Sequence, residues 1–120
     1  MAQAIAALRS EEDLQRLLAG AGDQPVLIFK HSTTCPVSAR AHAAFLAASA
    51  GPDLDGVRLG LVRVIEERPL SQSIAMRFGV THQSPQALVV RGGRAVWNAS
   101  HAALTRQAIR DAVRLPTPAQ

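Results

Sequence analysis

The chain contains one cysteine, Cys35, in the stretch Thr34-Cys35-Pro36-Val37-Ser38. An apolar run, Val26-Leu27-Ile28-Phe29, comes shortly before it, and an amphipathic helical pattern follows directly. This order puts a lone thiol at a strand-to-helix junction. There the first backbone N–H groups of a helix lack partners, and the macrodipole favours negative charge. A thiol so placed tends to ionise near neutral pH, and the thiolate is the reactive form. Three positions on stands Ser38 rather than a second cysteine, which gives the outline of a C-x-x-C redox motif with a hydroxyl in place of one thiol. Thr34, Pro36 and Ser38 are the candidate supports of the thiolate. Pro36 suits the first helical turn, and the Ser38 hydroxyl is a donor of the right reach.

The elements that must position this thiol are readable from pattern. Ser10 caps a first helix with Leu14, Leu17 and Leu18 on one face. Pro25 opens a strand from Val26 to about Lys30, apolar enough to be buried on both faces. Val37, Ala41, Ala44, Phe45 and Ala48 recur at helical spacing until Gly51-Pro52. Val57 to Ile65 reads as a second strand, so strand, helix and strand form a parallel crossover. Pro69 starts a helix that Gly79 ends. Ala87 to Val90 is a third strand, Gly92-Gly93 a hairpin turn, and Ala95 to Trp97 a fourth strand. Ser100 is expected to cap a last helix. The expected fold is α/β, a four-stranded mixed sheet flanked by helices on both faces. The length predicts one domain over 1–120, with the first few residues and the tail 115–120 frayed.

Composition narrows the function. The net charge is +4, yet nearly all the cations are arginines scattered along the chain, and Lys30 is the only lysine. Without a basic run, a tyrosine or more than a few aromatics there is no stacking platform, and no nucleic-acid partner is expected. A mildly positive surface favours acidic partners, a carboxylate-bearing thiol among them. The sequence shows no signal peptide pattern and no apolar stretch of membrane-spanning length, so a cytoplasmic protein without a membrane role is expected. One cysteine rules out an internal disulfide.

Pro85 directly precedes the third strand. Inside a central strand a proline would remove a ladder bond. A cis Ser84–Pro85 bond explains its place, because it turns the chain and faces the Ser84 backbone toward Cys35. This arrangement resembles the thioredoxin fold, in which such a cis-proline loop lies beside the cysteine. Within that superfamily, three blocks in order resemble the YtxJ family of bacillithiol-system monothiol proteins, also called bacilliredoxin C. They are Phe29-Lys30-His31-Ser32-Thr33-Thr34-Cys35-Pro36-Val37-Ser38, Gly79-Val80-Thr81-His82-Gln83-Ser84-Pro85-Gln86 and Val96-Trp97-Asn98-Ala99-Ser100-His101. The resemblance covers about residues 5 to 114. It implies a thioredoxin-like fold and a monothiol oxidoreductase that removes bacillithiol from mixed disulfides on proteins. The implied partners are bacillithiol, as thiol co-substrate, and bacillithiolated proteins, with no bound cofactor. By the same resemblance Ser84 and Pro85 pair with substrate, and His31 and His82 are candidate contacts for the thiol.

The histidines His31, His42, His82 and His101 match no zinc spacing, so no metal is expected. His42, mid-helix, is expected to be exposed. Two other readings stay open. One is a glutaredoxin-like protein acting on another low-molecular-weight thiol adduct. The other is a non-catalytic thioredoxin-like module that uses Cys35 as a redox sensor. The region Leu27-Ile28-Phe29 lacks the buried acid that many thioredoxins carry before the cysteine.

Overall fold

The structure, a computed structural model, describes residues 4–116. Of the two ends expected to fray, residues 1–3 and 117–120 lie outside the described residues. Among the described residues five strands and four α-helices follow one another: β1 (Ile5–Ala7), α1 (Glu11–Ala19), β2 (Val26–His31), α2 (Pro36–Ala50), β3 (Arg58–Arg63), α3 (Arg68–Phe78), β4 (Gln86–Arg91), β5 (Arg94–Ser100) and α4 (Arg106–Ala112). One-turn 3₁₀ helices at Pro52–Leu54 and His101–Ala103 join them.

The sheet has five strands in the order β1-β3-β2-β4-β5, which corrects the expectation of four. The missed strand, β1, is three residues long and pairs parallel with the outer side of β3. Ile-Ala-Ala has no alternation long enough to signal a strand, and two of its three residues are exposed. Its place comes from the free edge of β3, whose Leu61 carbonyl also accepts the Leu8 N–H at 2.9 Å. A second difference lies at the last helix. Ser100 ends β5 and precedes the 3₁₀ turn, where its side chain makes no capping bond; Thr105 caps α4, its hydroxyl accepting the Ala108 N–H at 3.1 Å.

β2 pairs with β3 in parallel and with β4 antiparallel, so it is the central strand, buried at every position. Alternation divides its side chains between two cores. Leu27 and Phe29 join Ala41, Phe45 and Ala48 of α2, and Leu104 and Ile109 beside and within α4. Val26 and Ile28 join Leu14 and Leu17 of α1 and Leu70 and Ile74 of α3 on the other face. Gly92 and Gly93 both take positive φ, 59° and 78°, as the two-residue turn between β4 and β5 requires.

The α2 helix docks on β2 through stacked rings. Phe29 and Phe45 lie 5.0 Å apart and nearly parallel, and Phe45 is fully buried. Truncating Phe45 removes the largest apolar side chain by which α2 holds the sheet. Phe45→Ala is expected to lower the unfolding free energy by about 3–5 kcal/mol, read from urea denaturation.

Candidate active site

Cys35 is the N-cap of α2, with extended φ −109° and ψ 122°. Its carbonyl accepts the first helical bond, from Ala39 N–H at 3.0 Å, and Pro36 occupies the first helical turn. Pro36 has no N–H to leave unpaired there, and its ring presets the helical φ. The Cys35 side chain makes no capping bond and is half-exposed, between exposed Thr34 and Pro36. The residue is therefore partly exposed at the N-terminus of a fifteen-residue helix, the end that attracts negative charge.

Ser38 lies one turn inside and is fully buried. Its Oγ accepts the Ser32 N–H at 2.9 Å and lies 2.8 Å from His31 Nδ1. The residue that replaces a second thiol thus ties the first turn of α2 to the end of β2. His31 is itself only 9 % exposed. Its ring stacks on His42 at 4.3 Å, and Phe29 packs near both rings. His42 is half-buried, not exposed as its mid-helix place suggested, because its ring closes this stack. Burial pushes both imidazoles below their ordinary range. His42 adds to the effect on His31, and Glu66 opposes it.

The Ser84–Pro85 bond is cis, the form suggested by a proline at the entrance of β4. Lys30 of β2 pairs with Gln86, so Pro85, one residue earlier, sits alongside the end of β2 where the Cys35 segment begins. The Pro85 carbonyl accepts the His101 N–H at 3.1 Å, and His101 has φ 56°. Gln86, buried, closes the preceding loop by donating to the Thr81 carbonyl at 2.9 Å. Ser84 Oγ is buried without a hydrogen-bond partner among the described residues.

A half-exposed cysteine at a helix N-terminus, a serine in place of the second thiol and a cis-proline at the entrance of β4 lie at the same end of the sheet. Over residues 6–109 the sequence matches the family described as Monothiol bacilliredoxin BrxC. The chain belongs to that family. Solved structures agree on the fold. A protein described as having a thioredoxin fold is 29 % identical, with a TM-score of 0.77, over 90 % of this chain and 92 % of that one. Thioredoxin from Malassezia sympodialis is 19 % identical, with a TM-score of 0.72, over 92 % and 88 % of the two chains. Thioredoxin from Fasciola hepatica is 16 % identical, with a TM-score of 0.70, over 90 % and 95 %. The chain has the thioredoxin-like fold.

The other sequence candidates divide by sheet face. His31 and Ser38 lie together near Cys35, whereas His82 is engaged across the sheet. Its Nδ1 stands 3.1 Å from Lys30 Nζ and 3.3 Å from Ser71 Oγ. An ammonium can only donate, so His82 Nδ1 accepts and Nε2 carries the ring hydrogen. Burial first, then the charges of Lys30 and Arg68, hold the His82 imidazole below its ordinary range, consistent with an acceptor ring. No helix among the described residues is long and apolar enough to cross a membrane. No group of three or more His, Cys, Asp or Glu among them is arranged to hold a metal ion.

Lys30 is the residue that sequence reading passed over. It is fully buried and forms no salt bridge among the described residues. The signal was present: a lysine directly after the apolar run Val26-Leu27-Ile28-Phe29, within a strand read as buried on both faces. Burial pushes its ammonium from 10.5 down to about 8. At pH below about 8, folded and unfolded chains both hold the proton and the fold carries the full penalty. Between there and 10.5 the unfolded chain binds the proton that the folded one has released, so stability rises with pH. The shift corresponds to about 3 kcal/mol. Lys30→Met removes the charge at similar volume and leaves Ser71 to serve His82. The variant is expected to be more stable than wild type near neutrality and to lose that advantage as pH climbs toward 10.5. Urea denaturation across this range reads the difference; a gap that does not change with pH would contradict it.

Proposed function

We propose that this protein is a monothiol thiol-disulfide oxidoreductase that removes bacillithiol from protein mixed disulfides through Cys35. The observation that carries the reading is a lone, half-exposed thiol at the N-cap of α2 with Ser38 one turn behind it, in a chain of the monothiol family. In the first step the Cys35 thiolate attacks the bacillithiol sulfur of the adduct. A new disulfide forms between Cys35 and bacillithiol, the protein–bacillithiol bond breaks, and the protein leaves as thiolate and takes a proton. Without a second thiol in this chain, the adduct on Cys35 is resolved from solution. A second bacillithiol thiolate attacks it, forms bacillithiol disulfide and returns Cys35 to the thiolate. In this reading Ser84 pairs with the substrate backbone beside the cis bond. Thr34 and Pro36 frame the open side of the thiol, and His31 and His82 serve from behind the two walls.

Intact-mass analysis after mixing with a bacillithiolated protein tests the reading. Wild type is expected to take up one bacillithiol and hold it until free thiol is added, and Cys35→Ser to take up none. Discharge of the adduct without external thiol would refute the monothiol route. Ser38→Cys restores the spacing of a dithiol motif. That variant is expected to release the small thiol unaided and to end as an internal disulfide, lighter by about two hydrogens.

A further inference from the structure

The Ser38 hydroxyl has one hydrogen and two lone pairs. The Ser32 N–H, at 2.9 Å, takes one lone pair. His31 Nδ1, at 2.8 Å, takes either the hydrogen or the second lone pair. One bonding direction of a fully buried hydroxyl is therefore left over whichever way the His31 bond runs. Cys35 is the cap of α2 and Ser38 its third residue. These two positions lie against each other on a first helical turn, the relation that makes a capping box. The Cys35 side chain is half-exposed and makes no capping bond, so a contact with Ser38 requires its sulfur to turn onto that hydroxyl.

We propose that His31 acts on Cys35 through Ser38, the hydroxyl relaying the thiol proton to the imidazole. With Nδ1 bare, Ser38 donates to His31 and turns its remaining lone pair to the Cys35 S–H. On ionisation the S–H bond breaks and leaves its electron pair on sulfur. That proton joins Ser38 Oγ while the hydroxyl's own hydrogen passes to His31 Nδ1. The products are a thiolate accepting from the Ser38 O–H and an imidazolium donating to Ser38 Oγ, so no net charge is created. Ser38 is neutral before and after. The relay stands where the buried acid of many thioredoxins is absent, Phe29 being apolar and fully buried.

The groups around His31 suit this exchange. His42 of α2 stacks on it, and Phe29 of its own strand packs nearby. Arg63 of β3 lies opposite in register, and Glu66, just beyond, pairs with Arg63 at 3.5 Å. Lys30, next in the chain, is committed to His82 across the sheet. Burial and then His42 hold the His31 imidazole below its ordinary range, and the Glu66 carboxylate opposes them by favouring the cation.

The inference rests on Cys35 being the nucleophile proposed above. It is tested with iodoacetamide, which contains no bacillithiol, so failure of de-bacillithiolation and failure of the relay read separately. The measurement is the rate of Cys35 alkylation against pH in the full chain. His31→Asn keeps a side chain able to bond Ser38 but takes up no proton; Ser38→Ala breaks the bridge. Both are expected to slow alkylation about tenfold near about pH 6.5, equal to displacing the profile by about one unit. The double variant is expected to be no slower than either single one, and Ser38→Thr, which keeps the hydroxyl, to retain the wild-type profile. A His31→Asn profile that superimposes on wild type would overturn the relay. A second measurement needs no variant. The NMR titration of His31 in wild type is expected to move when Cys35 is blocked by carbamidomethylation, and an unmoved titration would overturn the relay equally.

Discussion

The geometry of the site depends on one buried hydroxyl. Ser38 Oγ joins the first turn of α2 to the Ser32 N–H and to His31 Nδ1 at the end of β2. A buried backbone N–H without a partner is costly, so the strand end and the helix start are held in one arrangement. Cys35 caps the same turn, and its position follows from that bracket. A thiol at residue 38 would be a larger and weaker acceptor for the Ser32 N–H. The serine therefore does two things at once: it fixes the helix start, and it leaves Cys35 without a second thiol to pair with.

The opposite wall of the site is held from the other face of the sheet. Consecutive residues of β2 point to opposite sides, so His31 serves the α2 side while Lys30 reaches His82 in the loop after α3. That loop leads to Ser84 and cis Pro85, and Gln86 closes it again onto Thr81. A one-residue slip of β2 against its neighbours would exchange the two roles and put a charged group among the rings beneath α2. Register is pinned by the apolar residues that precede the pair, Leu27 and Phe29 to one core and Val26 and Ile28 to the other. The fully buried cation is thus a consequence of holding both walls from one central strand.

The two-sided strands were legible in the sequence because they are nearly continuous apolar runs, and α2 because Pro36 and Gly51-Pro52 bound it. Cys35 and the cis bond at Pro85 were legible because each sits at an element boundary where its residue type needs a reason. β1 was not, since a segment of only three residues acquires strand geometry by pairing with β3. The cap of α4 shifted from Ser100 to Thr105 because β5 runs on to Ser100 and a 3₁₀ turn intervenes. The partners of Ser38, His42 and Lys30 were hidden for a common reason. Each is set by a side chain distant in sequence or on another element, and neither periodicity nor capping rules reach that far.

A monothiol site has to admit two thiols in turn at one sulfur, the protein adduct first and a small thiol second. Access and rigidity then pull in opposite directions, and the fold separates them by depth. Above the sulfur, Thr34, Pro36 and Val37 are exposed, and Val37 keeps 43 % of its surface. Below it, Ser38 is sealed, and the rings of Phe29, His31, His42 and Phe45 pack in one contiguous group. A dithiol site closes over its own product, because the second cysteine attacks from within the helix. Here that inner position is occupied by the bracket that holds the helix, and in the proposed reaction the attack that frees Cys35 comes from the open side.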